Sequence, residues 1–420
     1  MSAHFAGRAP NEVIVAGAGV VGLSSAWFLQ EQGVQVTVVD RVGVAGGSSW
    51  GNAGWLAPAL TTPLPEPAVL ASGFKALFSS SSPVYVPLRP DLDLIKFLTG
   101  FVRHSTARRW RRSMRLFAAM SEDAHAAYDT LVAGGVAEPV READPFLVGL
   151  GSDRALKAFV TELHHVAEAG VPIKSQQLTA EEARELEPAL GPGVSGAVRL
   201  EGQRFIDPGP FVHALAHAVT DRGGKIIEGV EVEQVRDLGD DGVVARTTSG
   251  ELRADAILLA TGSRLGDLAR PFGVRQVVQA GRGYSFSVPL DQVPSGPVYF
   301  PDVRVACTPL RGRLRVAGTM EFRPTDAPLD PRRITAIIES VRHRFTGAHW
   351  DERTDEWVGA RPCTSDGLPL IGPTKSPRVH VAGGHGMWGV ALGALTGRYV
   401  ADGMVGAATH PPIKAFNPLR

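Results

Sequence analysis

Val13-Ile14-Val15-Ala16-Gly17-Ala18-Gly19-Val20-Val21-Gly22 is an apolar run that feeds a Gly-x-Gly-x-x-Gly turn. Residues 12–16 read as a buried parallel strand, and residues 20–32, with Leu23, Ala26, Trp27 and Leu29 on them, as a helix that stops at Gly33. The three glycines have separate tasks. Gly17 permits the tight turn, Gly19 lets the backbone approach a pyrophosphate, and Gly22 lets helix and strand pack closely. The helix start then offers unpaired N–H groups and a positive dipole end to phosphates. A second strand, 34–39, leads into Asp40 and Arg41. An acid at that spacing suits the hydroxyls of an unphosphorylated ribose. Gly17, Gly19, Val20, Val21, Gly22, Asp40 and Arg41 are therefore candidate dinucleotide contacts.

From this unit the pattern extends outward. Gly46-Gly47-Ser48-Ser49-Trp50-Gly51-Asn52-Ala53-Gly54 is a small-residue loop, followed by a Pro- and Ser-rich crossing over 55–90 that contains the serine run Ser79–Ser82. Residues 91–135 read as mostly helical, and Thr179-x-x-Glu182 looks like a capped helix start. Strands are expected at Lys225–Glu228, Glu231–Arg236, Val243–Thr248 and Ala256–Ala260, the last running into Ala260-Thr261-Gly262. Residues 275–325 alternate apolar and polar positions, the mark of an antiparallel sheet. A helix follows over 331–345, residues 379–382 return as a strand, and Val390–Met404 closes as a helix. The expected fold is α/β: a Rossmann-like dinucleotide domain made of 1–90, 200–274 and 356–420, with a substrate domain of antiparallel sheet and helices made of 91–199 and 275–355.

Composition narrows the class. The chain has 420 residues, enough for more than one core. Lysine plus arginine equals aspartate plus glutamate at 43 each, so no global charge points to nucleic acid. Two cysteines, Cys307 and Cys363, make neither a disulfide framework nor a zinc spacing, which fits a reducing, cytoplasmic setting. No metal is expected. The first ten residues lack the apolar core of a signal peptide, and no apolar run reaches the roughly 20 residues of a membrane span. The stretch holding Arg103, Arg108, Arg109, Arg111, Arg112 and Arg115 reads as a solvated helix face, with a membrane-surface helix as the second reading.

A second motif lies near the C-terminus. Gly359-Ala360-Arg361-Pro362-Cys363-Thr364-Ser365-Asp366-Gly367 precedes the strand and loop Val379–Gly386. With the early loop and the intervening segments it resembles the D-amino-acid oxidase superfamily of flavoproteins. Within it the resemblance is strongest to D-amino-acid dehydrogenases of the small-subunit type, with glycine oxidase, sarcosine oxidase and glyphosate-oxidising enzymes as relatives. It rests on Gly17–Gly22 with Asp40, Ser48-Ser49-x-x-Asn52-Ala53-Gly54, Glu187-Pro188-Ala189-Leu190, Ile206-Asp207-Pro208, Ala260-Thr261-Gly262, Gly283-Tyr284-Ser285, Arg315–Thr319, Arg361-Pro362 with Asp366-Gly367, and Gly384-His385-Gly386.

That resemblance implies noncovalent FAD. Its flavin contacts would be Ser48, Ser49, Asn52, Ala53 and Gly54, and the loop Gly384, His385, Gly386, Met387, Trp388 and Gly389. Val232 would meet adenine, and Ala260, Thr261 and Gly262 would complete the dinucleotide sheet. Arg361 matches the arginine that clamps the substrate carboxylate, and a guanidinium fork suits that task. Tyr284 is a candidate second donor or a half-buried sheet tyrosine. His385 is a candidate for the substrate or flavin edge, or a plain loop residue. Trp55, Met387 and Trp388 would line the pocket or pack in the core. Cys363 does not have the spacing of a flavin-linking cysteine.

The implied reaction is FAD-dependent oxidative deamination of a D-amino acid or small imino acid, by hydride transfer from Cα to flavin N5, with the imine hydrolysing to a 2-oxo acid. Two other readings stay open: an oxygen-using oxidase of glycine, sarcosine or another secondary amine, and a non-catalytic flavin-binding subunit of a larger complex. The partner is a small amino-acid substrate. The electron acceptor stays open between quinone, a partner flavoprotein and oxygen, as does a partner subunit or a peripheral membrane contact.

Overall fold

The computed structural model describes residues 9–67, 84–87, 91–408 and 410–420. The serine run Ser79–Ser82 and much of the expected 55–90 crossing lie outside the described residues. The opening motif folds as its glycines demand. Strand Glu12–Ala16 buries every residue after the first, and helix Val20–Glu31 starts directly behind Gly19. Gly17 has a φ of 118°, and a side chain on it would run into the Ala260 carbonyl. A side chain on Gly22 would strike the Gly17 carbonyl. Gly33, at φ 80°, ends the helix in the left-handed region that glycine takes at little cost.

This strand is central in a six-stranded sheet of order Lys225–Glu228, Gln35–Asp40, Glu12–Ala16, Ala256–Leu259, Val379–Gly383, Leu370–Pro373. The first five run parallel and the sixth is antiparallel. The chain leaves Glu12–Ala16 toward one side and returns on the other at Ala256–Leu259. Between the carboxyl ends of these two strands lies the switch point at which open α/β sheets bind ligands. Helix Val20–Glu31 packs on Gly389–Val405 so closely that a side chain at Gly397 would come 2.6 Å from the Ser24 backbone.

The second layer is a nine-stranded mixed sheet. Its main path runs Thr354–Thr364, Val278–Val288, Arg313–Glu321, Val305–Leu310, Val298–Phe300, Phe146–Leu150, Gly196–Leu200, Ser175–Thr179, with Val84–Tyr85 beside Arg313–Glu321. One face carries Tyr284, Phe286, Val316, Cys307 and Phe300 and packs on helix Pro331–Val341 through Ile334, Ile337 and Ile338. Period-2 alternation puts Gly281, Gly283, Ser285 and Ser287 on the other face. That face meets the early loop: Ser285 Oγ donates to the Gly51 carbonyl at 2.8 Å and Thr308 Oγ1 to the Ala53 carbonyl at 2.7 Å.

Several expectations shift. The expected strand Glu231–Arg236 runs Val232–Asp237 and belongs to a separate three-stranded antiparallel sheet with Val243–Thr247 and Gly250–Ala254. The 91–135 helical stretch is two helices, Leu92–His104 and Ala107–Ala133, because Thr106 caps the second. Residues 356–364, expected in the dinucleotide domain, run in the edge strand Thr354–Thr364 of the large sheet. This strand spans from one layer to the other and carries Arg361 to the junction.

Candidate active site

A cleft of about 560 Å³ opens at the switch point and runs to the edge strand of the large sheet, at residues 358–362. Gly17, Gly19, Val20 and Val21 line one wall, while Gly22 sits behind it as packing. Gly19, the residue before the helix, supplies no capping side chain, and the helix start faces the cleft with its positive dipole end. Ser48, Ser49 and Asn52 come next, and Ser49 Oγ accepts from the Val20 N–H at 3.2 Å. Ala53 and Gly54 stand off the wall and anchor the loop. The Ala53 carbonyl takes the Thr308 hydroxyl, and Gly54, at φ 80°, accepts the Ile206 N–H at 2.9 Å. Trp55 is likewise fixed in the core, its indole N–H donating to Thr308 Oγ1 at 2.9 Å.

Asp40 lines the cleft, but its carboxylate is already engaged by the backbone. Oδ2 accepts from Ala18 at 2.8 Å, and Oδ1 from Val42 and Gly43 at 2.8 and 3.0 Å. It thus shapes the turn, while a carboxylate has lone pairs for a further donor. Val232 and Ala260, Thr261 and Gly262 line the opposite wall. Arg41 is paired across the mouth with Asp326 at 2.9 Å, and Arg264 joins Glu231 at 2.7 Å and Asp326 at 3.6 Å. Arg264 ends the short 3-10 helix Gly262–Arg264, Glu231 and Asp326 lie in loops, and no sequence spacing marks the three as partners.

At the far end lie His385, Gly386 and Gly389, where helix Gly389–Val405 begins. His385 is buried, with Nε2 at 2.9 Å from Thr396 Oγ1. Burial pushes its pKa down to about 4, so the ring is neutral at physiological pH. Gly384, Met387 and Trp388 are outside the cleft lining. Met387 packs with Phe97, Met320 and Cys363, and the Trp388 indole donates to the Thr62 carbonyl at 2.6 Å.

Arg361 lies on the cleft wall, half-buried, and no carboxylate pairs with it among the described residues. Its Nη1 donates to the Thr319 carbonyl at 2.9 Å. Burial draws its pKa down from the ordinary arginine value, yet a guanidinium stays charged in a protein. A cation held this way, with donors to spare and a glycine beneath it, can receive an anion. Asp366 does not face Arg361. It bonds Arg420 at 2.8 and 3.0 Å and so fastens the C-terminus to its loop. Cys363 is buried, and desolvation pushes its thiol up to about 12, which removes it as a nucleophile at neutral pH.

Tyr284 is not at the site. Successive residues of a strand face opposite ways, so with Gly283 under Arg361, Tyr284 enters the core behind the sheet. It is fully buried there, and its hydroxyl donates to Glu321 Oε1 at 2.7 Å. Burial, with that bond, pushes the phenol up to about 12.

The cleft fits a flavin dinucleotide on its own features. Side chains at Gly17 or Gly22 would collide with backbone, and the helix start behind Gly19, whose only capping side chain among the described residues is the hydroxyl of Ser49, suits a pyrophosphate. Thr261 Oγ1 is buried with no hydrogen-bond partner among the described residues, as a polar group that serves a ligand would be. Among the described residues no group of His, Cys, Asp or Glu is placed to hold a metal.

Comparisons with known proteins agree with this geometry. The profile of the family described as "FAD dependent oxidoreductase" (DAO) matches residues 12–403. A D-amino acid dehydrogenase of Cereibacter sphaeroides is 31% identical over 404 residues, 94% of this chain and 92% of that protein. One of Azorhizobium caulinodans is 30% identical over 94% of this chain and 96% of that protein. Among solved structures, glycine oxidase from Bacillus cereus superposes with a TM-score of 0.73 at 21% identity, covering 96% of this chain and 97% of that one. Iminodiacetate oxidase from Chelativorans gives 0.70 at 19% identity, covering 97% and 98%.

Proposed function

The chain belongs to the FAD-dependent oxidoreductases of the DAO family, and from that premise we propose that it oxidises the Cα–N bond of a D-amino acid or small imino acid. The observation that carries this reading is the Arg361 guanidinium on the cleft wall, charged, half-buried and without a carboxylate partner among the described residues. In this proposal Gly17, Gly19, Ser48, Ser49, Asn52, Val232, Thr261, His385, Gly386 and Gly389 hold FAD. When bound, FAD supplies a two-electron acceptor for the Cα hydride.

The remaining work falls to the chain. Arg361 takes the substrate carboxylate through its spare N–H groups and so fixes the direction of the Cα–H bond. His385, neutral by burial, adds no charge and keeps the loop in place through Thr396. The N-terminus of Gly389–Val405 contributes a partial positive end at the same place. Among the described residues no carboxylate is hydrogen-bonded to Arg361 or His385, and no carboxylate base enters this reading. The substrate amine therefore reacts in its neutral form, having lost its proton to water. The imine product hydrolyses in water to a 2-oxo acid.

The same proposal assigns 1–90, 200–274 and most of 356–420 to the FAD-binding part. It assigns the electrons to an acceptor other than oxygen. A peripheral membrane contact belongs to it too. Leu92, Ile95 and Val102 form one exposed stripe on helix Leu92–His104, at 75, 52 and 40% exposure. Arg103 on that helix and Arg108, Arg111, Arg112 and Arg115 on the next are exposed, with no ion pair among the described residues. Among those residues no helix is long and apolar enough to cross a membrane.

The test is anaerobic reduction of the purified protein by single amino acids. Bleaching of the flavin by D-amino acids, and not by their L-enantiomers, is expected. Bleaching by glycine and sarcosine alone would replace the reading with a secondary-amine oxidase, and no bleaching by any amino acid would leave a flavin-binding subunit.

A further inference from the structure

Thr319 has a φ of 56°, in the left-handed region that β-branched residues avoid. The cause is visible in the register of its strand. Arg282 pairs with Glu321 and Tyr284 with Gly318, so Gly283 alone faces two residues, Thr319 and Met320. That is a β-bulge, a device that re-aims groups beside functional sites. In regular pairing the Thr319 carbonyl would belong to the ladder. Here it is turned out and accepts from Arg361 Nη1 at 2.9 Å. The guanidinium is thereby pinned flat over Gly283, with its other N–H groups left for a ligand.

A strained residue persists only where its surroundings over-determine it. The constraint lies behind the sheet. Arg282 and Glu321, each 1% exposed, form an ion pair at 2.9 Å, and Tyr284 donates to the same Glu321 oxygen at 2.7 Å. Arg282 also donates to the Ala327 carbonyl and to that of Pro328, and the Asp330 N–H donates to the Tyr284 hydroxyl at 3.3 Å. Arg282 and Glu321 are the last regular pair before the bulge, and Tyr284 is the first after it. A buried ion pair is weak evidence of stability, and fixing register is its best-attested use.

We propose that the Arg282–Glu321–Tyr284 network locks the Thr319 bulge and so aims Arg361. Tyr284 and Thr319 are then positioning residues for the carboxylate clamp, although Tyr284 never touches the cleft. The inference rests on the reading of Arg361 as that clamp.

The test uses the FAD-loaded enzyme. Affinity for the amino acid is read from the concentration dependence of anaerobic flavin reduction. Affinity for propionate, a carboxylate without an amine, is read from the shift of the flavin spectrum. Tyr284→Phe and Thr319→Pro are each made alone and with Arg361→Ala. Proline fixes φ near −65° and removes the left-handed turn. Tyr284→Phe is expected to weaken both ligands about tenfold with unchanged flavin content, and to have no further effect once Arg361 is alanine, the coupling expected of residues that act as one unit. Thr319→Pro, where it folds, should do the same more strongly. Unchanged affinity in Tyr284→Phe, or an equal loss with and without Arg361, would overturn the proposal. If Arg361→Ala itself left both affinities intact, the clamp reading would fall, a result separate from the behaviour of Tyr284.

Discussion

The guanidinium of Arg361 occupies the space that a side chain at Gly283 would need. A methyl group built on Gly283 would overlap the guanidinium carbon and nitrogens. Two strands of the large sheet thus share one purpose. One supplies the cation and its neighbour supplies the gap in which the cation lies. The gap makes a local rule of sheet chemistry, which disfavours glycine in strand interiors, yield to the site.

Replacing Arg361 by lysine should therefore be costly. Lysine keeps the charge but loses the planar fork, and cannot bond both Thr319 and a bidentate carboxylate. Turnover efficiency on the best amino acid is expected to fall at least about a hundredfold, equivalent to about 3 kcal/mol. Flavin content should stay at the wild-type level. Steady-state kinetics beside the visible spectrum separate these two readouts, and near-normal kcat/KM in Arg361→Lys would show that the carboxylate binds elsewhere.

Flavin retention should depend on Gly19. A Cβ there would already stand 3.2 Å from Ser49 Oγ, so a branched side chain must enter the cleft. Gly19→Val is expected to purify without colour while keeping its fold by circular dichroism. Wild-type flavin should be released into the supernatant on acid precipitation, because Cys363 is buried and its thiol protonated. Flavin that stayed with the pellet would mean a covalent bond.

How much of this was legible in the sequence follows from the range of the interactions. The Gly17–Gly22 turn was readable because its strand, turn and helix start lie within about ten residues of one another. Arg361 was readable because its motif is local. The role proposed for Tyr284 was not, since its bond to Glu321 joins two strands whose pairing only the fold decides. Strands Phe146–Leu150, Ser175–Thr179 and Gly196–Leu200 also escaped, being short and stabilised by partners far along the chain. The ion pairs of Arg264, Glu231 and Asp326 join segments whose encounter only the fold decides.

Acid should weaken the folded enzyme through His385. Its folded pKa lies at about 4 against 6.5 for an exposed histidine. The unfolded chain then binds more protons between these values, so stability is complete above about pH 6.5 and declines as pH falls toward 4. A shift of this size corresponds to on the order of 3 kcal/mol. Thermal melts from pH 4 to 8 should show this slope, and His385→Gln should flatten part of it. A slope unchanged in that variant would assign the acid sensitivity elsewhere. Activity should show no matching inflection near pH 6.5, where His385 is neutral throughout, and should instead rise with deprotonation of the substrate amine.

The last prediction concerns where the electrons go. The exposed stripe of Leu92, Ile95 and Val102, followed in the chain by exposed arginines outside any described ion pair, suits the headgroup region of an anionic bilayer, in which each such arginine contributes about 1 kcal/mol near the surface. Purified enzyme should pellet with vesicles containing phosphatidylserine at low salt, release as salt screens the charges, and ignore neutral vesicles. Ile95→Glu should abolish pelleting, and paired Arg111→Ala and Arg112→Ala should weaken it by roughly thirtyfold, without loss of dye-linked activity. Substrate-reduced enzyme should then reoxidise faster with a soluble quinone than with aerated buffer in stopped flow. Equal pelleting with neutral and anionic vesicles, or none at low salt, would make the helix an ordinary solvated face. Reoxidation by oxygen at the turnover rate, with stoichiometric peroxide, would make the enzyme an oxidase whatever surface it binds.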